Sequence, residues 1–285
     1  MLDADLVTLP KHLEDKEYDK VIFVHAAAYS KSKHFVRYLK DQDVDYYYVV
    51  NEYNLGEAHA LWALCRDYGK KFHVIANHEA KASKVVKKNV LTWNIVNLNT
   101  LIYDKRMPRI NLPWGMKKDI LYYGSFRKGR LKYFEKYFDE SFIVSTSKRN
   151  IKKFEDSDIS AKWMDNLKWH KIDDTLFEYR STLYIEDIKT HKYYNYLANR
   201  FYEALTYRIP CFFDATCLQT IDLSGYPIKN FFIVNSREEL DNKTNRLRDM
   251  DSYQLEKVYI SQLRDMAEEE RRKTKEEIIN IIERS

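Results

Sequence analysis

At 285 residues, with 45% hydrophobic and 32% charged side chains, the chain is long enough for two domain cores and too mixed in composition to be disordered. Its mean hydropathy is −0.61, and no apolar run approaches the roughly 20 residues that span a bilayer. The net charge of +5 hides a segregation: residues 66–132 hold 16 Lys or Arg against 4 Asp or Glu, which calls for an anionic partner, phosphate or nucleic-acid backbone.

Cys65, Cys211 and Cys217 are too few and too scattered for a disulfide framework or a zinc site. The opening Met1 to Asp5 has neither the basic start nor the apolar stretch of a signal peptide. A reducing, cytoplasmic setting with no membrane contact is the expectation. With 6 Gly, phosphate loops rich in glycine are not expected; the 23 Tyr suit sugar or base stacking as well as half-buried core.

In chain order, Lys20 to Ala26 reads as a strand and Ser30 to Lys40 as a helix with Phe35, Val36 and Leu39 on one face. Val44 to Val50 is a second strand, Glu57 to Asp67 a helix that stops at Gly69, and Lys71 to Ala76 a third strand. Thr92 to Val96 favours a further strand. Met107 to Lys118, with two of the five prolines, reads as a linker. A second alternating block follows: strand Ile120 to Tyr123, helix Arg130 to Phe138, strand Ser141 to Ser145 and short helix Asn150 to Phe154. Trp163 to Trp169 is a loop or short strand, Thr175 to Tyr179 a short helix, and Thr182 to Ile185 a strand. Helix Tyr194 to Tyr207, strand Cys211 to Asp214 and strand Asn230 to Val234 complete the block, and from Ser252 onward the chain is charged helix. Strands alternating with helices predict an α/β fold of two Rossmann-like domains with parallel, doubly wound sheets.

Two segments carry the chemistry. In Asn199 to Asp214, a helix with Arg200, Glu203 and Ala204 runs into Arg208-Ile209-Pro210 and an apolar strand. In open parallel sheets ligands bind where loops leave the carboxyl ends of strands, which places the loop Glu186 to Tyr193 at such a site. A carboxylate one turn into the following helix can accept from two ribose hydroxyls. The segment Tyr122 to Arg130 is strand, Gly turn and basic loop: Gly124 lets backbone approach a pyrophosphate, and Arg127, Lys128 and Arg130 neutralise it. It is neither a Walker loop nor a Gly-x-Gly-x-x-Gly fingerprint.

These two segments, within roughly residues 120–215, resemble the donor domain of GT-B glycosyltransferases. The resemblance implies two domains facing across a cleft, with residues 1–112 binding acceptor and 113–251 binding a nucleotide-sugar. Residues 252–285 would then form helices that pack back on the first domain. It implies Glu203 as the ribose ligand. Retaining members carry a second glutamate eight positions earlier, where this chain has Asn195. The donor set it implies is Gly124, Ser125, Arg127, Lys128, Arg130, Tyr193, Asn195, Asn199, Arg200 and Glu203, with a UDP-sugar as donor substrate and no cofactor required.

For the acceptor, His78 and Glu79 follow the third predicted strand and His25 lies at the end of the first, where a general base could reach a hydroxyl. Asp43-Val44-Asp45 and Asp156-Ser157-Asp158 fit ordinary turns, so no metal is expected. Lys81, Lys84, Lys87, Lys88, Lys105, Arg106 and Arg109, with Trp93 and Trp114 among them, form a stretch suited to nucleic acid. In size, charge and plan the chain is similar to phage glycosyltransferases of hydroxymethylated cytosine. That implies double-stranded DNA as partner, base flipping, a monomer and the host cytoplasm. A glycosyltransferase acting on a polysaccharide or lipid-linked sugar would share the donor motifs, and a non-enzymatic nucleic-acid-binding protein would share the basic stretch. Each basic cluster alone also fits a solvated helix face.

Overall fold

The computed structural model describes residues 20–23, 45–49, 72–76, 90–92, 113–167, 174–187, 197–206, 209–224, 226, 228–255, 272, 276, 279, 280 and 283. The chain is α/β and divides into two compact units, one of Met1–Leu98 with Arg272–Ser285 and one of Asn99–Arg271. In the first, β1 (Lys20–Phe23), β2 (Asp45–Val49), β3 (Phe72–Ala76) and β4 (Val90–Thr92) form a parallel sheet in the order β1-β2-β3-β4. Tyr47 at its centre is fully buried. Among the described strands of this unit the order runs one way, without reversal. The predicted helices at 30–40 and 57–67 lie outside the described residues.

The second unit carries six parallel strands: β5 (Lys118–Tyr123), β6 (Ile143–Ser145), β7 (Lys162–Met164), β8 (Tyr179–Tyr184), β9 (Cys211–Asp214) and β10 (Ile233–Val234). Their order is β10-β9-β8-β5-β6-β7. From β5 two strands are laid down to one side and then three to the other, which is the doubly wound Rossmann order. Central strands of such a sheet are covered on both faces and read as continuous apolar runs. Accordingly all six residues of β8 are buried, as are Leu121, Tyr122 and Tyr123 of β5.

The crossovers supply the covers. Helix α1 (Leu131–Tyr137) buries Tyr133, Phe134 and Tyr137, and α2 (Lys148–Glu155) buries Phe154. Between them lies an aromatic cluster: Phe134 meets Phe154 edge-on at 4.9 Å, Phe138 stacks on Phe142 at 5.0 Å, and Tyr122 meets Phe134 at 5.8 Å. Tilted and edge-on pairs suit the ring quadrupole. Leu121 and Tyr123, on alternate positions of β5, join Leu167, Leu176, Tyr179 and Ile209 instead. After β8 come α3 (Asn199–Thr206), α4 (Leu218–Ser224), α5 (Arg237–Asp249) and α6 (Ser252–Leu255).

Several boundaries differ from the sequence expectation for identifiable reasons. β5 begins at Lys118, inside the predicted linker, because Lys118 pairs with Glu178 at 2.5 Å and Asp119 with Arg180 at 2.6 Å. Helix α3 begins at Asn199 because the Ala198 N–H donates to the Tyr184 hydroxyl at 2.7 Å before the first helical turn. The predicted strand at Asn230 to Val234 is a 3₁₀ turn, Asn230–Phe232, followed by two strand residues. Helix α5 was not anticipated. The Ser236 hydroxyl caps it by accepting from the Glu239 N–H at 3.1 Å, and Glu239 accepts from the Asn235 N–H at 2.8 Å, close to a capping box.

Phe154 is fully buried between α2 and the sheet. Its truncation, Phe154→Ala, is expected to cost about 3–5 kcal/mol, read as a lower urea midpoint with an unchanged denaturant slope; a midpoint within error of wild type would show that the aromatic cluster does not hold the unit.

Candidate functional site

The strand order reverses between β5 and β8, so the carboxyl ends of these two strands flank the switch point of the sheet, where loops diverge to opposite faces. Gly124 follows β5. Its N–H donates to the Ser145 carbonyl at 3.2 Å and its own carbonyl accepts from the Thr146 hydroxyl at 2.7 Å. Its φ is +153°, and a Cβ there would stand 3.0 Å from Arg200 Nη1 and 3.2 Å from the Tyr122 hydroxyl oxygen. Glycine suits the position because side chains rarely adopt this positive φ, and the Arg200 guanidinium adds crowding where a Cβ would stand.

Arg200, from the first turn of α3, donates to the Ile185 carbonyl at 2.9 Å and to Glu186 Oε2 at 3.0 Å. Its guanidinium lies 5.2 Å from the Tyr184 ring and 5.8 Å from the Tyr122 ring. The other Glu186 oxygen accepts from Arg130 at the end of the 3₁₀ turn Lys128–Arg130. Arg130, Glu186 and Arg200 are 7%, 2% and 14% exposed as side chains, so two cations share one carboxylate out of water. Glu203, one turn beyond Arg200, is 5% exposed and faces the Tyr123 phenol. That phenol donates to the Arg200 carbonyl at 2.9 Å. Burial first, then the Glu203 charge, lift the Tyr123 phenol well above its ordinary range.

Beside this cluster, over the ends of β5 and β6, opens a cleft of about 840 Å³. One wall is the loop Ser125, Phe126, Arg127 and Lys128; the other is α2 with Ser147, Arg149, Asn150 and Lys153, closed by Asp156 and Ser157. The size falls within the roughly 300–1,000 Å³ of small-molecule sites. Phe126 anchors the loop by meeting Phe154 edge-on at 5.0 Å, which leaves Arg127 and Lys128 exposed above the core. Helix α2 starts at the cleft because the Ser147 hydroxyl accepts from the Asn150 N–H at 3.3 Å. Arg149 and Lys153 stand one turn apart and share a helix face.

The cations differ in their engagement. Arg130, Arg180, Arg200, Arg237, Arg248 and Arg272 each pair with a carboxylate, and Arg246 lies over the Phe231 ring at 5.2 Å. Among the described arginines only Arg127 and Arg149 have neither partner, and both line the cleft. Four cations and one carboxylate line the cleft, a balance of positive charge that attracts anions.

At the end of β9, Asp214 is fully buried and accepts from Lys136 Nζ at 2.7 Å and the Tyr137 hydroxyl at 2.6 Å. It also accepts from the Thr216 N–H at 3.0 Å and the Thr216 hydroxyl at 2.5 Å. Burial alone would raise its pKa, but the bonds from Lys136, Thr216 and Tyr137 outweigh it and hold the carboxyl below its ordinary value. The cluster ties the end of α1 to β9.

Of the residues singled out from sequence, Ser125, Arg127 and Lys128 line the cleft, while Gly124, Arg130 and Arg200 form the buried cluster beside it. Asn199 is the first residue of α3, and Glu203 does not line the cleft. Tyr193, Asn195, His25, His78, Glu79 and the basic stretch Lys81, Lys84, Lys87, Lys88, Lys105, Arg106 and Arg109 lie outside the described residues. Sequence reading missed Glu186 as the shared carboxylate, and Ser147, Arg149 and Lys153 as the second wall. The available signal was Ser-Lys-Arg-Asn directly after a short strand, a helix cap carrying two cations.

Among the described residues no group of three or more His, Cys, Asp or Glu could hold a metal ion, and no helix is long and apolar enough to cross a membrane. No family model matches the chain, and no curated protein matches it.

Glu186→Gln leaves two buried guanidinium groups without their carboxylate and is expected to destabilise by about 3–5 kcal/mol in chemical denaturation; a loss below about 1 kcal/mol, the range of an exposed pair, would deny the cluster its structural role. For Asp214 the folded pKa is depressed, so its stabilisation is present above the unfolded value of about 3.9 and is lost as pH falls through the folded value. Urea midpoints of wild type should therefore fall on acidification through this range, and Asp214→Asn should start lower and show a flatter acid limb. Parallel acid limbs would contradict the assignment.

Proposed function

We propose that the unit of residues 99–271 binds a nucleoside-diphosphate sugar and that the chain is a glycosyltransferase, hexosyl or pentosyl, of two Rossmann-like domains in the GT-B manner. The observation that carries the reading is the cleft with unpaired Arg127 and Lys128 over the carboxyl end of β5 in a doubly wound sheet. Nucleotides bind such sheets outside the carboxyl ends of the strands, next to the switch point. In this reading the loop Ser125 to Lys128 holds the diphosphate and UDP is the nucleotide.

The chemistry is a substitution at the anomeric carbon. An acceptor hydroxyl oxygen forms a bond to that carbon while the bond to the diphosphate breaks, and the diphosphate leaves with the electron pair. Negative charge builds on the leaving group, where Arg127 and Lys128 lower its energy. The hydroxyl proton passes to a base, for which His78, Glu79 and His25 are the candidates. The excess of 16 basic over 4 acidic residues in 66–132 supports an acceptor on nucleic acid, a hydroxymethylated base in DNA.

A panel of nucleoside-diphosphate sugars tests the reading by thermal shift and calorimetry. At least one, with UDP-glucose the first choice, should raise the melting temperature. Arg127→Ala with Lys128→Ala should weaken it at least tenfold, since a hydrogen bond to a charged group contributes about 1.5–3 kcal/mol. If no member of the panel binds the wild-type chain, the glycosyltransferase reading fails.

A further inference from the structure

The two walls of the cleft are built from different parts of the fold and carry separate pairs of cations. Arg127 and Lys128 belong to the loop after β5, whereas Arg149 and Lys153 belong to the face of α2 after β6. In a doubly wound nucleotide site the segment after the second strand meets the far side of the ribose: an acidic side chain there takes a free ribose hydroxyl, and an arginine takes a phosphate attached to it. Here β6 ends at Ser145 and the chain continues Thr146-Ser147-Lys148-Arg149, with no carboxylate. We infer that the α2 wall is a second phosphate subsite, in which Arg149 and Lys153 bind a phosphate ester separate from the diphosphate held by the loop.

Several observations converge on this wall. Arg149 has no carboxylate or aromatic partner among the described residues, although six of the nine described arginines pair with a carboxylate. Arg149 and Lys153 are both exposed and line the same cleft, so both are accessible to an anion that enters it. The Ser147 and Asn150 side chains on the same wall can bond phosphate oxygens. The one carboxylate of the lining, Asp156, lies past the end of α2. A diphosphate carries charge for one pair of cations; the second pair calls for another phosphate.

That phosphate has two chemical sources: an ester on the ribose of a nucleotide other than UDP, or the phosphodiester of a nucleic-acid strand in the acceptor. The inference rests on the nucleotide-binding reading for the loop wall alone, and the test separates the two. Calorimetric titrations use the full chain and the double variant Arg149→Gln with Lys153→Gln. The probes are UDP, an adenosine bisphosphate with a phosphate on each side of its ribose, adenosine monophosphate as control, and a short single-stranded oligothymidylate.

The double variant is expected to keep UDP affinity within about twofold and to lose at least about tenfold toward one of the other two ligands, given about 1.5–3 kcal/mol for a hydrogen bond to a charged group. Loss toward the bisphosphate, with no loss toward the monophosphate, assigns the ribose ester. Loss toward the oligonucleotide, with a salt slope lower by about two, assigns the strand. Equal loss of UDP and of the other ligands would overturn the inference by making the two walls one diphosphate site. Unchanged affinity for both the bisphosphate and the oligonucleotide, or their failure to bind wild type, would overturn it as well. If wild type fails to bind UDP, the donor reading fails by itself, and the oligonucleotide arm still decides the α2 wall.

Discussion

Two guanidinium groups sharing one buried carboxylate hold the carboxyl ends of β5 and β8 together. Arg130 reaches Glu186 from the loop after β5, and Arg200 reaches it from α3. Removing three charges from water is costly, and such an arrangement persists only when geometry and further hydrogen bonds offset the desolvation. Arg200 has one further hydrogen bond, to the Ile185 carbonyl, and lies over the Tyr184 and Tyr122 rings. Its guanidinium packs against Gly124, whose positive φ also disfavours a side chain. The cluster therefore fixes where the loop leaves β5, where α3 begins, and which side chains remain for a ligand.

What remains is the cleft one strand over. Its cations owe their availability to the burial of Arg130, since Glu186 is already occupied from two sides and Arg127 and Lys128 stay unpaired. The aromatic floor of Phe126, Phe134 and Phe154 keeps the loop and α2 in fixed relation. Buried, paired Arg130 and exposed, unpaired Arg127 and Lys128 thus lie within a few residues of one loop.

The sequence showed the fold class of the second unit well and its site less well, for a physical reason. β9 was legible to the residue because an apolar run between Pro210 and Ala215 is a local signal. The extension of β5 to Lys118 was not, because it depends on pairs with Glu178 and Arg180 about sixty positions away in the chain. Arg127 and Lys128 were legible as loop cations after a Gly turn. Arg130 looked equivalent to them, and only its contact with Glu186, 56 positions on, removes it to the interior. Glu186 itself carries no local sign of its role. Arg149 and Lys153 belong to a run that reads as a solvated helix face until the cleft beside them is known. Helix α5 is a different case, since Ser236 and Glu239 announce its start in the sequence.

The central claim is that the loop wall of this cleft holds the diphosphate of a nucleotide. A crystal structure of the chain soaked with UDP tests it most directly. The account predicts a diphosphate within hydrogen-bond distance of Arg127 and Lys128, over the end of β5, with Arg130 still paired to Glu186. A nucleotide bound elsewhere at full occupancy, with this cleft empty, would contradict it.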